Sequence, residues 1–338
     1  LRSCAPLDPR GTPGADERDR LVRLLVTGAG GFVGSNVVRE AGRRGDAVVG
    51  IVRSPPPRPE PCCVYRTVDL LDSHAAAAVV ATARPDAIVH CAILNDFQLL
   101  YTDRALAWAS YVDVTRTLAD AANGVGALLV LVSTDWVFDG VRGGYTEADP
   151  PNPVNYYGVL KTACELVTLE RAQSGAVARI AGVMGTHVAR PSLPRGQDAG
   201  FGYLVASLVD TLERGEPFAV WESDDINGRA TPSLASHSAG LVLTLCERGL
   251  NGTFHCCGGE STTRMELART TVDVFGLDAS LLRSALPDQH ALPPERVPYD
   301  TSLDARATAV ALGVALPSLR DLLVRFRAER VAAASCGG

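Results

Sequence analysis

The sequence predicts an α/β fold, a doubly wound parallel sheet with a smaller C-terminal α/β lobe. Three observations carry this expectation. From Leu21 onward, short runs rich in Val, Ile and Leu alternate with Ala-rich amphipathic stretches, the pattern of successive β-α-β units. The run Ala127-Leu-Leu-Val-Leu-Val132 has no polar alternation, as a central parallel strand covered on both faces requires. A glycine-rich turn, Thr27-Gly-Ala-Gly-Gly-Phe-Val-Gly34, joins the first apolar run to the first amphipathic one.

Taken in order, strands are expected at 21–27, 47–53, 64–69, 87–92, 127–134 and 176–183, and helices at 32–44, 73–83, 103–123 and 156–173. After Met184 the rhythm loosens. The stretch 191–200 (PSLPRGQDAG) reads as a loop from its Pro and Gly content. A helix near 201–214, a strand near 218–222, a helix near 233–248, a short strand at Thr253-Phe-His-Cys256 and three helical stretches reaching about 332 follow. This tail is too short and irregular for an independent sheet domain. The expected division is a disordered leader at 1–20 and a nucleotide-binding sheet domain at 21–184, with segments returning to it near 218–248. A lobe at 185–332 and a frayed tail at 333–338 complete it.

The 338 residues suffice for one large domain or two ordinary ones, and the mix of 46% hydrophobic and 21% charged residues is that of a globular protein. A net charge of −6 argues against a nucleic-acid partner, and no apolar run reaches the ~18–20 residues of a membrane helix. Nine cysteines, an odd number with two adjacent pairs and no C-x-x-C spacing, fit neither a disulfide framework nor a zinc site. They point to a reducing, cytoplasmic location. The first twenty residues lack the apolar core of a secretory signal.

Gly28, Gly31 and Gly34 form a G-x-x-G-x-x-G array between a strand and a helix. Glycine there permits the tight turn and lets backbone approach a pyrophosphate, while the N–H groups of the helix beginning Phe32-Val33 point their positive end at it. This predicts a Rossmann dinucleotide site. The second strand ends in Arg53-Ser54, with no carboxylate for a ribose 2′-hydroxyl. A guanidinium suits a 2′-phosphate, which favours NADPH, with NADH as the alternative.

Tyr157-Gly-Val-Leu-Lys161 places a phenol and an ammonium one helical turn apart. The ammonium would favour the phenolate and let Tyr157 exchange a proton near neutral pH, and the same lysine can hydrogen-bond the nicotinamide ribose, so Tyr157 and Lys161 are also expected cofactor contacts. Lys161 is the one lysine among 32 basic residues, and with eight tyrosines the chance of one standing four residues upstream is about 1 in 40. Arginine, a planar fork, is a poor substitute where a compact ammonium must fit. The fifth strand ends in Ser133-Thr134-Asp135-Trp136, at the sheet edge where open α/β folds bind ligands, so Thr134 is placed to hydrogen-bond a substrate carbonyl beside Tyr157.

Together these motifs, with Ser133-Thr-Asp-Trp-Val-Phe-Asp-Gly140, Pro151 to Lys161, Gly228-Arg-Ala-Thr-Pro232 and Arg296 to Asp304, resemble the extended short-chain dehydrogenase/reductase family. Within it they resemble the dTDP-4-dehydrorhamnose reductase branch, over about 21–330. The resemblance implies a catalytic trio of Thr134, Tyr157 and Lys161. It also implies pyrophosphate binding at Gly28, Gly31 and Gly34, adenine contacts at Asp69-Leu70, and contacts to the middle of the cofactor at Ala92-Ile93. Reduction of the 4-keto group of a dTDP-linked 6-deoxyhexose is the implied activity, a C-terminal substrate-binding lobe the implied architecture, and a homodimer a common assembly.

Asn95, Asp135 and Trp136 are the expected substrate contacts. Arg296 is the favoured cation for the nucleotide pyrophosphate, ahead of Arg190, Arg195 and Arg229. Departures include Asp113 where the family has a relay Asn, Trp136 where the motif has Tyr, and His90-Cys-Ala-Ile-Leu-Asn-Asp96 in the substrate-facing stretch. His187, His237 and His255 lack metal-ligand spacing and are expected to be structural. Two other readings stand beside the reductase. One is an epimerase or dehydratase of the same family holding NAD. The other is a non-catalytic binding subunit like the regulatory partner of methionine adenosyltransferase.

Overall fold

The structure, a computed structural model, describes residues 21–94, 96–191, 196–288 and 292–335. Seven parallel strands form the main sheet. They are β1 (Arg23–Thr27), β2 (Ala47–Val52), β3 (Cys63–Thr67), β4 (Ala87–His90), β5 (Leu128–Thr134), β6 (Gly175–Ile180) and β7 (Gly252–His255), in the order β7-β6-β5-β4-β1-β2-β3. The chain therefore runs outward from β1 in one direction and from β4 in the other, and a crevice opens between these two strands at their carboxyl ends.

Both sheet faces are covered, which explains the unbroken apolar runs. On one face α1 (Phe32–Arg44) packs Val37, Val38 and Ala41 against Val26, Val89 and Val130. On the other, α2 (Ser73–Ala83) and α5 (Val114–Val125) cover Leu25, Ile88 and Leu129 with Val80, Leu118 and Ala122. Beside α5, α6 (Tyr156–Arg171) covers Leu131 and Val177 with Leu160 and Cys164.

The expected helix 103–123 is broken once, and a further short helix precedes it. A short α3 (Phe97–Thr102) precedes α4 (Arg104–Trp108), because the Asp103 side chain accepts from Leu106 N–H and restarts the helix. A single π turn, Ala109–Asp113, then separates α4 from α5 and brings Ser110 and Tyr111 to the crevice.

Beyond β6, α7 (Leu204–Glu213) and the strand Phe218–Trp221 belong to a second cluster. There the strand pairs in parallel with Leu282–Ala285, an element the sequence pattern concealed. The two-residue strands Val183–Met184 and Ser233–Leu234 pair and lead into α8 (Ala235–Arg248), which lies on α1. From there the chain enters β7 at the sheet edge, the segment read as the short strand near 253. α9 (Arg264–Phe275), α10 (Arg306–Leu312) and α11 (Leu319–Ser335) complete the chain, with α9 and α11 closing the second cluster. α11 continues to Ser335, past the point where a frayed tail was expected; residues 1–20 and 336–338 lie outside the described residues. Among the described residues no helix is long and apolar enough to cross a membrane, and Cys62, Cys63, Cys91, Cys164, Cys246, Cys256 and Cys257 are free thiols.

Candidate active site

A cavity of about 1260 Å³ fills the crevice and collects most of the residues singled out from the sequence: Gly28, Gly31, Phe32, Val33, Gly34, Arg53, Ser54, Asp69, Leu70, Ala92, Ile93, Thr134, Asp135, Trp136 and Tyr157. At its floor Gly28 has φ +65°, and a Cβ there would stand 2.8 Å from the Ala92 backbone. A Cβ at Gly34 would meet the Gly28 carbonyl oxygen at 2.2 Å. Glycine is therefore required both for the turn and for the seating of α1 on it. The N-terminus of α1, at Gly31, carries no side-chain cap, and a phosphate accepting its N–H groups fits this end. Arg53 and Ser54 lie exposed at the rim after β2, and Asp69 follows β3, its carboxylate accepting from Leu71 N–H at 3.0 Å.

The opposite wall carries the polar chemistry. The strand end and α6 converge because Asn155 caps α6, accepting from Gly158 N–H at 2.8 Å, while Gly158 leaves room for the Trp136 carbonyl. Trp136 packs edge-on to Tyr157 at 6.0 Å between ring centres, and Tyr111 does so at 6.2 Å from the π turn. Thr134 hydrogen-bonds Tyr157, donates to Asp135 Oδ1 at 3.1 Å and accepts from Trp136 N–H at 3.2 Å. Burial pushes the Asp135 carboxyl up to about 6, with hydrogen bonds from Thr301 and Thr134 opposing.

Lys161 departs from the expected picture. Its ammonium is buried and donates to the Val132 carbonyl at 2.6 Å, and burial lowers its pKa. Burial likewise raises the Tyr157 phenol above its ordinary value, with Asp135 adding to the rise and the Thr134 hydrogen bond opposing it. The protein's own contacts thus hold Tyr157 protonated, where the spacing alone suggested a lowered pKa.

Arg296 does not line the cavity. It acts through its carbonyl, which accepts from Asn155 Nδ2 at 2.9 Å and anchors the start of α6. Arg229 is also outside the lining, its Nε 3.9 Å from Asp300, whereas Arg190 lines the cavity. Asn95 and Arg195 lie outside the described residues. Asp113 is half exposed and pairs with Arg116 at 3.0 Å, turned from the cavity.

His187 lines the cavity, its ring 5.9 Å from Phe32. His237 and His255 are outside the lining, and burial lowers the pKa of both. Sequence reasoning missed Gln98, Tyr101, Ser110 and Tyr111, the loop 198–203, and Asn227. Of these only residues 198–200 had a signal, as the end of the Pro- and Gly-containing stretch 191–200; 201–203 were expected to open a helix, which starts at Leu204 instead. No group of His, Cys, Asp and Glu among the described residues could hold a metal.

A dinucleotide-type glycine turn facing Thr134 and Tyr157 across one crevice, with Lys161 outside the lining and buried one turn along the same helix, defines an extended short-chain dehydrogenase/reductase architecture. The sequence matches the RmlD substrate binding domain family over residues 22–331, and the chain belongs to that family. It is 30% identical over 302 residues to methionine adenosyltransferase 2 subunit beta of Bos taurus, covering 87% of this chain and 84% of that protein. It is 31% identical over 295 residues to a dTDP-4-dehydrorhamnose reductase of Streptomyces griseus, covering 86% and 88%. The fold superposes with a TM-score of 0.75 at 23% identity on a dTDP-4-dehydrorhamnose reductase from Bacillus anthracis str. Ames in complex with NADP, covering 92% of this chain and all of that one.

Proposed function

We propose that the protein is an NADPH-dependent reductase of the 4-keto group of a dTDP-linked 6-deoxyhexose. The observation that carries this reading is that Tyr157 and Thr134 open into the same cavity as the glycine turn and Arg53, so a cofactor laid across the sheet end reaches them. The similarity to the Streptomyces griseus dTDP-4-dehydrorhamnose reductase supports the substrate class.

When bound, the reduced nicotinamide supplies hydride to the carbonyl carbon. Tyr157 gives its phenolic proton to the carbonyl oxygen as charge develops there, and recovers one from solvent afterwards. Thr134 steadies the same oxygen. Trp136 and Tyr111 hold the phenol from two sides, and Lys161, one turn further along α6, is buried and donates to the Val132 carbonyl of the strand that carries Thr134. Arg53 and Ser54 would hold the 2′-phosphate of the cofactor, and Arg190, which also lines the cavity, would meet the sugar nucleotide's pyrophosphate.

NADPH oxidation with dTDP-4-keto-6-deoxyglucose, with and without a 3,5-epimerase, tests this reading. Tyr157→Phe is expected to lower kcat 10²- to 10⁴-fold, an order-of-magnitude range for general acid catalysis, while leaving NADPH binding unchanged. Measurable NADPH binding without oxidation in the parent protein rejects the dTDP-hexose assignment.

A second reading is favoured by the bovine relative, a subunit by its name: the chain binds a partner protein and its cofactor site is not used for turnover. The same assay separates the two.

A further inference from the structure

We propose that Asp135 is a positioning residue that sets the direction of the Thr134 hydrogen bond, its neutral carboxyl freeing the Thr134 hydrogen for the reacting oxygen and its carboxylate capturing it. The proposal rests on the reductase reading of this site and names a control within it.

A threonine hydroxyl has one hydrogen and two lone pairs. Trp136 N–H occupies one lone pair of Thr134 at 3.2 Å, and the hydrogen goes to Asp135 Oδ1 at 3.1 Å. Tyr157 is the third partner. With Asp135 ionised, the Thr134 hydrogen is committed and only a lone pair remains for Tyr157. The phenolic hydrogen then points at Thr134 and away from a substrate. Thr134 is saturated and offers nothing to a carbonyl oxygen.

The other carboxylate oxygen fixes where a proton would sit. Asn227 Nδ2 faces the carbonyls of Pro298, Tyr299 and Arg229, so its amide orientation is set, and it donates to Thr301 Oγ1 at 3.0 Å. Asn227 thus takes one Thr301 lone pair, and Thr301 sends its own hydrogen to Asp135 Oδ2. The Asp135 and Trp136 N–H groups also donate to this carboxylate, and with Thr301 donating to Oδ2 we place a proton of Asp135 on Oδ1, the oxygen that faces Thr134. It then donates to Thr134, and the Thr134 hydrogen turns to the oxygen of Tyr157 or of the substrate.

The titratable groups facing Asp135 are Tyr157 from α6 and Cys257 from the loop after β7, and burial keeps both neutral. Burial also brings the Asp135 transition to about pH 6. Activity is thus expected to be lost as pH rises through that value.

The test follows kcat for NADPH oxidation with the dTDP-4-keto sugar from pH 5 to 8 in the parent protein, Asp135→Asn and Thr301→Val. In parallel, Trp136 fluorescence is followed in a Trp108→Phe/Trp221→Phe background, which reports the local titration without turnover. The parent kcat is expected to fall about tenfold per pH unit above the inflection. Asp135→Asn should be flat, because its amide, oxygen toward Thr301, presents N–H to Thr134 permanently. Thr301→Val should move the inflection upward, and it serves should the Asn variant not fold.

A flat parent profile, or an inflection that survives Asp135→Asn unmoved, overturns the proposal and leaves the reductase reading standing. A Trp136 inflection that Asp135→Asn removes, in a protein that never oxidises NADPH, supports the control and rejects the reductase. Neither inflection nor oxidation rejects both.

Discussion

Arg179 on β6 grips Glu165 on α6 through two hydrogen bonds, Nε to Oε1 at 3.0 Å and Nη2 to Oε2 at 2.7 Å, and Ser133 donates to the same Oε1 at 2.5 Å. Both side chains are 3% exposed. The pair ties the helix carrying Tyr157 and Lys161 to β6, and the Ser133 bond ties it to the end of β5 that carries Thr134. Removing one partner leaves a buried charge uncompensated, so Glu165→Leu is expected to cost about 3–5 kcal/mol of unfolding free energy. The double variant Glu165→Leu/Arg179→Met should cost less than the single one, since no charge is stranded. Urea denaturation checks both, and a single variant within ~1 kcal/mol of the parent would remove the pair from the account.

Arg53 stands at the end of β2 with Ser54, where a 2′-phosphate would lie. A hydrogen bond to a charged group contributes about 1.5–3 kcal/mol, which is roughly a 10- to 100-fold change in affinity. Arg53→Ala is therefore expected to raise the Kd for NADPH by about that factor and to leave the Kd for NADH nearly unchanged. Fluorescence titration with both nucleotides decides it. An equal loss for the two would mean that Arg53 is not the phosphate ligand.

The crevice itself was legible because its parts are backbone requirements. The glycine spacing, the apolar strands and the one-turn separation of Tyr157 and Lys161 are all properties of adjacent residues. What was not legible depends on side-chain direction and on distant segments. Arg296 was chosen for its charge, yet the structure uses its carbonyl, to hold Asn155. Asp135 was read as a substrate contact, and its partner Thr301 lies 166 positions away. The break at Asp103 and the π turn after Trp108, which bring Tyr111 to Tyr157, leave no mark on hydrophobic periodicity.

Gly34 is where sterics and function meet most directly. A Cβ 2.2 Å from the Gly28 carbonyl oxygen must push α1 off the turn, since the obstacle is backbone and cannot rotate away. Gly34→Ala is expected to lose NADPH binding by more than about tenfold and to lower Tm by several degrees, as overpacking costs of about 1–3 kcal/mol imply. Gly30→Ala is the control: its nearest neighbour, the Val52 side chain, stands at 3.5 Å, and it should bind the cofactor almost as the parent does. Equal binding by both variants would mean that the tight seating of α1 is not what the cofactor needs.

His237, on α8, gives a prediction for stability against pH. Burial, with Arg325 adding, lowers its pKa to about 4 from an ordinary 6.5. The unfolded chain therefore binds more protons between those values, and stability must fall as pH drops from about 6.5 to about 4. For this one residue the loss is about 3 kcal/mol across the window, an order-of-magnitude figure from ~1.4 kcal/mol per pKa unit. His90, buried between Thr27 and Lys161 and lowered to about 3, acts in the same direction. Asp135, raised to about 6, acts in the opposite one between pH 3.8 and 6, because its unfolded form loses its proton first. Both are common to the parent and to His237→Gln, so they cancel in the difference between the two unfolding free energies. That difference, measured by urea denaturation at pH 7, 6, 5 and 4.5, is expected to shift steadily in favour of the variant as pH falls. A constant difference would show that His237 titrates alike in the folded and unfolded chains.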